Sequence, residues 1–332
     1  MIKTKSINVF SHIIPCYNHC KYCLLNWNGK IIGADYDRSL KYAQMFSDWV
    51  KTNRPDSHGS FYFGYSMEHP DLMNQIKLLQ ELGSPSGYFL QFDGMKMRTD
   101  EELECLVREL KDAGIQILNF TFYGTKEYHD NFAGRIGDYD LMIETAEIAK
   151  RYNIQVEVGI PVFNTNINQL EELVSYFDNI ADRIFIFTCH SKGRGKYLLN
   201  QKITVNDYDS LPASVKKNFK REKNITPFEW LNSNLSIEEN RVLNISLTQD
   251  NIEHFESQSF EKTILEIEAM DDNYYSIVPS FSELLSKYAD IKDNHLYTKK
   301  DLYYIYSQRY IKEKNIEIDD INDERFCGSI RY

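Results

Sequence analysis

Cys16-Tyr17-Asn18-His19-Cys20-Lys21-Tyr22-Cys23 places three thiols within eight residues, at the spacing C-x3-C-x2-C. A loop this compact wraps one corner of a cubane, giving thiolates to three irons and leaving the fourth without a protein ligand. That open iron can take the amino and carboxylate groups of a small molecule. Thiolate-rich ligand sets select iron–sulfur clusters or zinc. Zinc is the competing reading, with His12 or His19 as fourth ligand. Structural zinc pairs one C-x2-C with a second ligand pair further along, however, and no second pair follows here.

Outward from this loop, short apolar runs alternate with amphipathic stretches. Ile7 to Ile14 predicts a strand just before the thiols, and Leu40, Ala43, Phe46 and Val50 predict a helix over 38–52. Further strands are predicted at Phe61-Tyr62-Phe63, Tyr88 to Phe92, Ile115 to Phe122, Ile154 to Val162 and Arg183 to Thr188. Helices between them carry Leu72, Ile76 and Leu79; Leu103, Leu106 and Leu110; Asp138 to Tyr152; and Leu170 to Phe177. Thr99 and Glu102 form a capping-box signature. Six βα units predict an α/β fold with a parallel sheet curled toward a partial barrel, its chemistry at the C-terminal strand ends. After about residue 200 the rhythm breaks. Helix is expected over 206–219 and 281–314, and a strand at Arg241 to Leu247. The expected division is a barrel over 1–200 and an α+β cap over 201–332.

The formal net charge of −11 argues against broad binding to nucleic acid or anionic membrane. No run of 18 apolar residues is present, so no membrane span is expected. Met1 to Ser6 has no apolar segment after it, so a signal peptide is not expected and the cytoplasm is the expected location. Cysteines in that compartment read as ligands, reactive thiols or core residues rather than disulfides.

The C-x3-C-x-aromatic-C pattern, with Tyr22 as the aromatic, resembles the defining motif of the radical S-adenosylmethionine (SAM) superfamily. The likeness extends over roughly residues 6–195. It implies a partial (β/α)6 TIM-like barrel, a [4Fe–4S] cluster on Cys16, Cys20 and Cys23, and SAM with its adenine beside Tyr22. By this resemblance, cluster reduction cleaves SAM to methionine and a 5′-deoxyadenosyl radical that abstracts a substrate hydrogen. An electron donor such as flavodoxin or ferredoxin is an implied partner. Where the family carries Gly-Gly-Glu-Pro, this chain has Gly64-Tyr65-Ser66-Met67-Glu68-His69-Pro70. One register puts Gly64 on the second glycine and another puts Glu68 on the glutamate, so Gly64, Ser66 and Glu68 are candidates for binding the SAM ammonium. Ordinary turn chemistry accounts equally well for Ser66 and Glu68. The third strand ends in Phe92-Asp93-Gly94, where the family often has Thr-Asn-Gly. Family members offer the SAM carboxylate a hydroxyl and an arginine after the fourth strand, here Thr121 and Arg135. A guanidinium presents a fork of donors to a carboxylate and stays charged.

Past the sixth strand, Gly193-Arg194-Gly195 resembles the segment preceding SPASM or twitch extensions. Arg325-Phe326-Cys327-Gly328-Ser329-Ile330-Arg331-Tyr332 resembles their closing Cys-Gly-Gly-Cys-Arg, with Ile330 replacing the second cysteine. The implied extension is a cap without auxiliary clusters. Cys189 and Cys327 are the candidate catalytic thiols, since a weak S–H bond can return a hydrogen atom to a substrate radical. The competing reading of Cys189 is a small residue filling the barrel top. Cys105 reads as core, and His129 as an exposed loop histidine rather than an acid–base partner of Asp130. Asn166 and Asn168 read as helix caps, and Tyr297 to Tyr310 as helix packing. The expected function is radical SAM chemistry on a peptide. A small metabolite is the alternative substrate, and a non-catalytic iron–sulfur or zinc protein the alternative class. Fifteen residues precede the first cysteine, so no N-terminal peptide-recognition domain is expected.

Overall fold

The apolar runs become parallel strands and the amphipathic stretches become the helices that cover them. The structure, a computed structural model, describes residues 4–11, 16–24, 33–63, 66–84, 87–233 and 241–318. In chain order the barrel elements are β1 (Thr4–Ser11), α1 (Tyr36–Asn53), β2 (His58–Phe63), α2 (Leu72–Glu81), β3 (Phe89–Gln91) and α3 (Asp100–Asp112). β4 (Ile117–Thr121), α4 (Lys126–Ala133), α5 (Asp138–Arg151), β5 (Gln155–Val162), α6 (Leu170–Phe177) and β6 (Arg183–Thr188) follow. Beyond them lie α7 (Val205–Ser210), α8 (Ala213–Lys216), α9 (Pro227–Leu231), β7 (Arg241–Ser246), α10 (Ile252–Glu256), α11 (Phe260–Ile277), α12 (Phe281–Tyr288) and α13 (Lys299–Lys314).

The strands form two parallel sheets, in the orders β2-β1-β7 and β3-β4-β5-β6. Together with their helices they make an open, partial TIM-like barrel of the α/β class. Val156, Val158, Ile160 and Val162 alternate along one face of β5 and are all buried, and Gly159 and Pro161 on the other face are buried too. The four aliphatic side chains share one core with Leu103, Val107 and Leu110 of α3 and Leu173 and Val174 of α6. Thr99 and Glu102 make the predicted reciprocal capping box at the start of α3.

β7 is the main departure from the expected layout. The strand foreseen in the C-terminal cap lies in the barrel wall, with Leu243 beside Ile7 and Ile245 beside Val9. All four side chains are buried in one cluster with Phe46 and Phe61. Burial of apolar area outside the β1 edge explains the placement. The rest of the C-terminal region is helical, with isolated bridges pairing Thr204 with His295 and Ile225 with Tyr297. Trp230, Tyr274, Leu284, Leu302 and Tyr306 form its own core, which fits the packing role read for the tyrosine-rich stretch.

Candidate active site

The thiol loop begins where β1 ends, yet it is bonded to loops of the other sheet. The Tyr17 N–H donates to the Gly94 carbonyl after β3, at 2.8 Å. The His19 and Lys21 N–H groups donate to the carbonyls of Ala133 and Phe132 at the end of α4, both at 2.8 Å. This leaves Tyr17, His19 and Lys21 exposed while Asn18 is buried. Gly94 has φ of 68°, and a Cβ there would overlap Cys16 Sγ. Only glycine suits a turn that is both left-handed and this close to the Cys16 sulfur. Cys16, Cys20 and Cys23 are all half-buried, and lie near enough to influence one another electrostatically. Burial pushes the Cys16 thiol up to about 11 and the Cys20 thiol up to about 12. A coordinated thiol is deprotonated outright, so metal binding reverses that preference.

Asp138, the first residue of α5, is a second centre, 1% exposed. Its Oδ2 accepts from Asn18 Nδ2 at 2.7 Å and lies 3.1 Å from His129 Nε2. Its Oδ1 lies 2.9 Å from the Arg135 guanidinium. His129 Nδ1 accepts the Tyr123 N–H, so Nε2 carries the proton toward Asp138. Asp130 accepts from the N–H groups of Gly137 and Tyr139 and so caps α5, where negative charge is favoured. The exposed loop expected at His129 is therefore corrected: this residue is fully buried on α4, and its partner is Asp138. Cys105 is corrected too; it is half-buried on the α3 surface beside Arg108 and Glu109.

The family model "Radical SAM superfamily" matches residues 11–177, half of the chain. The chain belongs to the radical SAM superfamily. No curated protein matches it. Among solved structures it is similar to Streptococcus suis SuiB bound to precursor peptide SuiA, at 14% identity and a TM-score of 0.48, covering 66% of this chain and 49% of that one. It is also similar to anSMEcpe with bound AdoMet, at 19% identity and a TM-score of 0.42, covering 62% and 57%. A third is coproporphyrinogen III oxidase (HemN) from Escherichia coli, at 13% and 0.39, covering 57% and 44%. The chain thus spans about half the length of these structures.

For a radical SAM chain, the remaining candidates sit as follows. Tyr22 is half-buried, and its hydroxyl accepts from the His190 N–H at 3.2 Å. Thr121 ends β4; its N–H donates to Asp93 Oδ1 and its hydroxyl accepts from Gln91 Nε2. Burial pushes the Asp93 carboxyl up to about 6, against the hydrogen bonds from Thr121 and Gln91. Arg135 donates to the Met95 carbonyl and pairs with Asp138, while its Nε is buried and bonded to nothing among the described residues. That orphaned donor is an observation on which the chain fits a carboxylate ligand. Glu68 is engaged elsewhere: both carboxylate oxygens accept from Arg98 at 2.9 Å, and Oε1 also accepts from the Lys96 N–H. Ser66 starts a short 3-10 turn. Cys189 is 4% exposed and belongs to a buried cluster with Tyr123, Phe132 and Phe163, against which Cys20 and Tyr22 pack. Asn166 stands at the start of the 3-10 turn before α6 but its side chain does not cap it as expected; it accepts from the Phe163 N–H and donates to the Tyr123 and Pro161 carbonyls instead. Gly64 and Cys327 lie outside the described residues.

Sequence reasoning missed Asp138 as the hub that joins Asn18, His129 and Arg135. A buried charge at a helix start looks like any N-terminal acidic residue, so the sequence held no separate signal for it.

Proposed function

We propose that this chain is a radical SAM enzyme whose cluster is held by Cys16, Cys20 and Cys23 and whose substrate is a peptide. The observation that carries the reading is the three-thiol loop docked across the C-terminal strand ends by the bonds to Gly94, Phe132 and Ala133. When bound, the cluster supplies the electron that cleaves SAM to methionine and a 5′-deoxyadenosyl radical. Tyr22 would flank the adenine. Thr121 and the Arg135 guanidinium would bind the carboxylate, and backbone groups of 64–68 would take the ammonium. With Glu68 engaged by Arg98, the backbone is the better candidate there. Cys189, buried in the cluster that Cys20 and Tyr22 pack against, is the described thiol best placed to return a hydrogen atom. The peptide assignment is supported by the likeness of residues 193–195 and 325–332 to SPASM-type segments. A flavodoxin or ferredoxin would deliver the electron.

Anaerobic reconstitution followed by reduction with SAM tests this. About four irons per chain and 5′-deoxyadenosine are expected. Cys16→Ala, Cys20→Ala and Cys23→Ala should each abolish 5′-deoxyadenosine, and Cys105→Ala should not. Stoichiometric zinc without iron would overturn the reading. Hydrogen transfer into 5′-deoxyadenosine from deuterated peptides encoded beside this chain tests the substrate class, and transfer only from small metabolites would replace it.

A further inference from the structure

A buried ion pair outside the cluster loop supports that loop from behind. Asp301 lies in the first turn of α13 and is 1% exposed. Its Oδ1 accepts the Ser191 N–H at 2.6 Å, and its Oδ2 is 2.7 Å from Lys202 Nζ. Lys202 is also buried; it donates to the Cys189 carbonyl and stands 5.3 Å from the Tyr297 ring centre. Burial alone would raise the Asp301 carboxyl, but the Lys202 ammonium, together with His190 and the Ser191 N–H, outweighs it and holds the group below the ordinary range. One charge pair thus fixes two backbone groups in the turn that follows β6.

The opposite side of the same turn rests on the cluster loop. The His190 N–H reaches the Tyr22 hydroxyl, and the Arg194 N–H donates to the Cys23 carbonyl at 2.9 Å. A Cβ on Gly193 would overlap the Cys23 and Leu24 carbonyls, and one on Gly195 would overlap the His190 carbonyl. The turn is therefore held tightly between α13 and the third ligand cysteine. A buried ion pair gives little net stability over apolar residues of the same size, but it constrains direction and distance. We infer that Lys202 and Asp301 are positioning residues, a clasp through which α13 sets the placement of Tyr22 and Cys23. The contacts stand on their own; their meaning for SAM rests on the proposed function.

The test replaces both charges at once, with Lys202→Met combined with Asp301→Leu, so that neither is left buried alone. Amide hydrogen exchange of the apoprotein is read segment by segment. Exchange in 20–24 and 189–195 should rise by about tenfold or more while β4 and β5 stay unchanged. After reconstitution, SAM should bind about tenfold more weakly. Unchanged exchange in both segments overturns the clasp, and so does a uniform rise that includes β4 and β5. If the double variant does not fold, Lys202→Met combined with Asp301→Asn keeps an oxygen for Ser191 and removes both charges. A smaller rise confined to the same two segments is then expected, and a uniform one overturns the inference. Should the wild type fail to cleave SAM, the proposed function falls, while the exchange comparison still decides the clasp.

Discussion

The two sheets of the barrel are built differently, and the candidate site lies where they meet. In the four-stranded sheet every strand pairs with its neighbour in sequence, β3 with β4, β4 with β5 and β5 with β6. In the three-stranded sheet β1 stands between β2 and a strand more than two hundred residues away, pairing Ile7 with Leu243. The thiols leave the second sheet but take their loop hydrogen bonds from the first, at Gly94, Phe132 and Ala133. The proposed ligands thus follow one sheet, while the groups that hold their loop belong to the other.

Three substitutions probe that division. The largest effect is expected at Asp138, where the four-stranded side grips the loop through Asn18. Asp138→Ala leaves Arg135 with its buried partner removed and should cost about 3–5 kcal/mol in denaturant unfolding. By contrast, removing the exposed Lys217–Asp178 pair should cost less than about 1 kcal/mol. Equal losses at the two sites would erase the distinction between joint and surface.

Asp93 comes next. Its folded pKa of about 6 lies above the ordinary value of 3.8. The native apoprotein therefore keeps a proton that the unfolded chain releases. This contribution to stability is complete below pH 3.8 and lost as pH rises through 6. At pH 7 Asp93→Asn should stabilise the apoprotein by about 2–3 kcal/mol, and near pH 3.5 by almost nothing. A gap that does not vary with pH would show that ionisation is not its source.

The smallest change in stability is expected for Gly94→Ala, with Gly83→Ala as its matched control. Both glycines have φ near 69°, at 68° and 69°, but a Cβ on Gly83 meets nothing within 4 Å. Each replacement should cost about 1–2 kcal/mol of backbone strain. Only Gly94→Ala should also lower iron bound per chain after reconstitution, because its Cβ displaces Cys16. Equal iron in the two variants would mean that the turn after β3 does not shape the ligand set.

Much of the barrel was legible because its signals are local. Thr99 and Glu102 announce α3 three residues apart, and the apolar spacing of Leu103, Leu106 and Leu110 continues it. Helix α4 was not legible: Lys-Glu-Tyr-His-Asp-Asn-Phe-Ala is polar, and it buries His129 and Asp130 by hydrogen-bonding them to groups outside the helix. Glu68 looked like a ligand residue until its partner Arg98, thirty residues on, was in view.

The sequence by itself determined the chemistry of the loop. Three thiols at C-x3-C-x2-C, with Tyr22 between the last two, carry the proposal of which atoms would meet a metal and how short their tether is. Only the tertiary structure decided what holds that loop: Gly94, the end of α4, Asp138, and the Lys202–Asp301 pair behind Tyr22. The physical reason is range. Ligand spacing and helical periodicity act over a few residues and leave a pattern in the chain. A carboxylate that meets a backbone N–H 110 residues away leaves none, because any acidic residue brought there by the fold would serve.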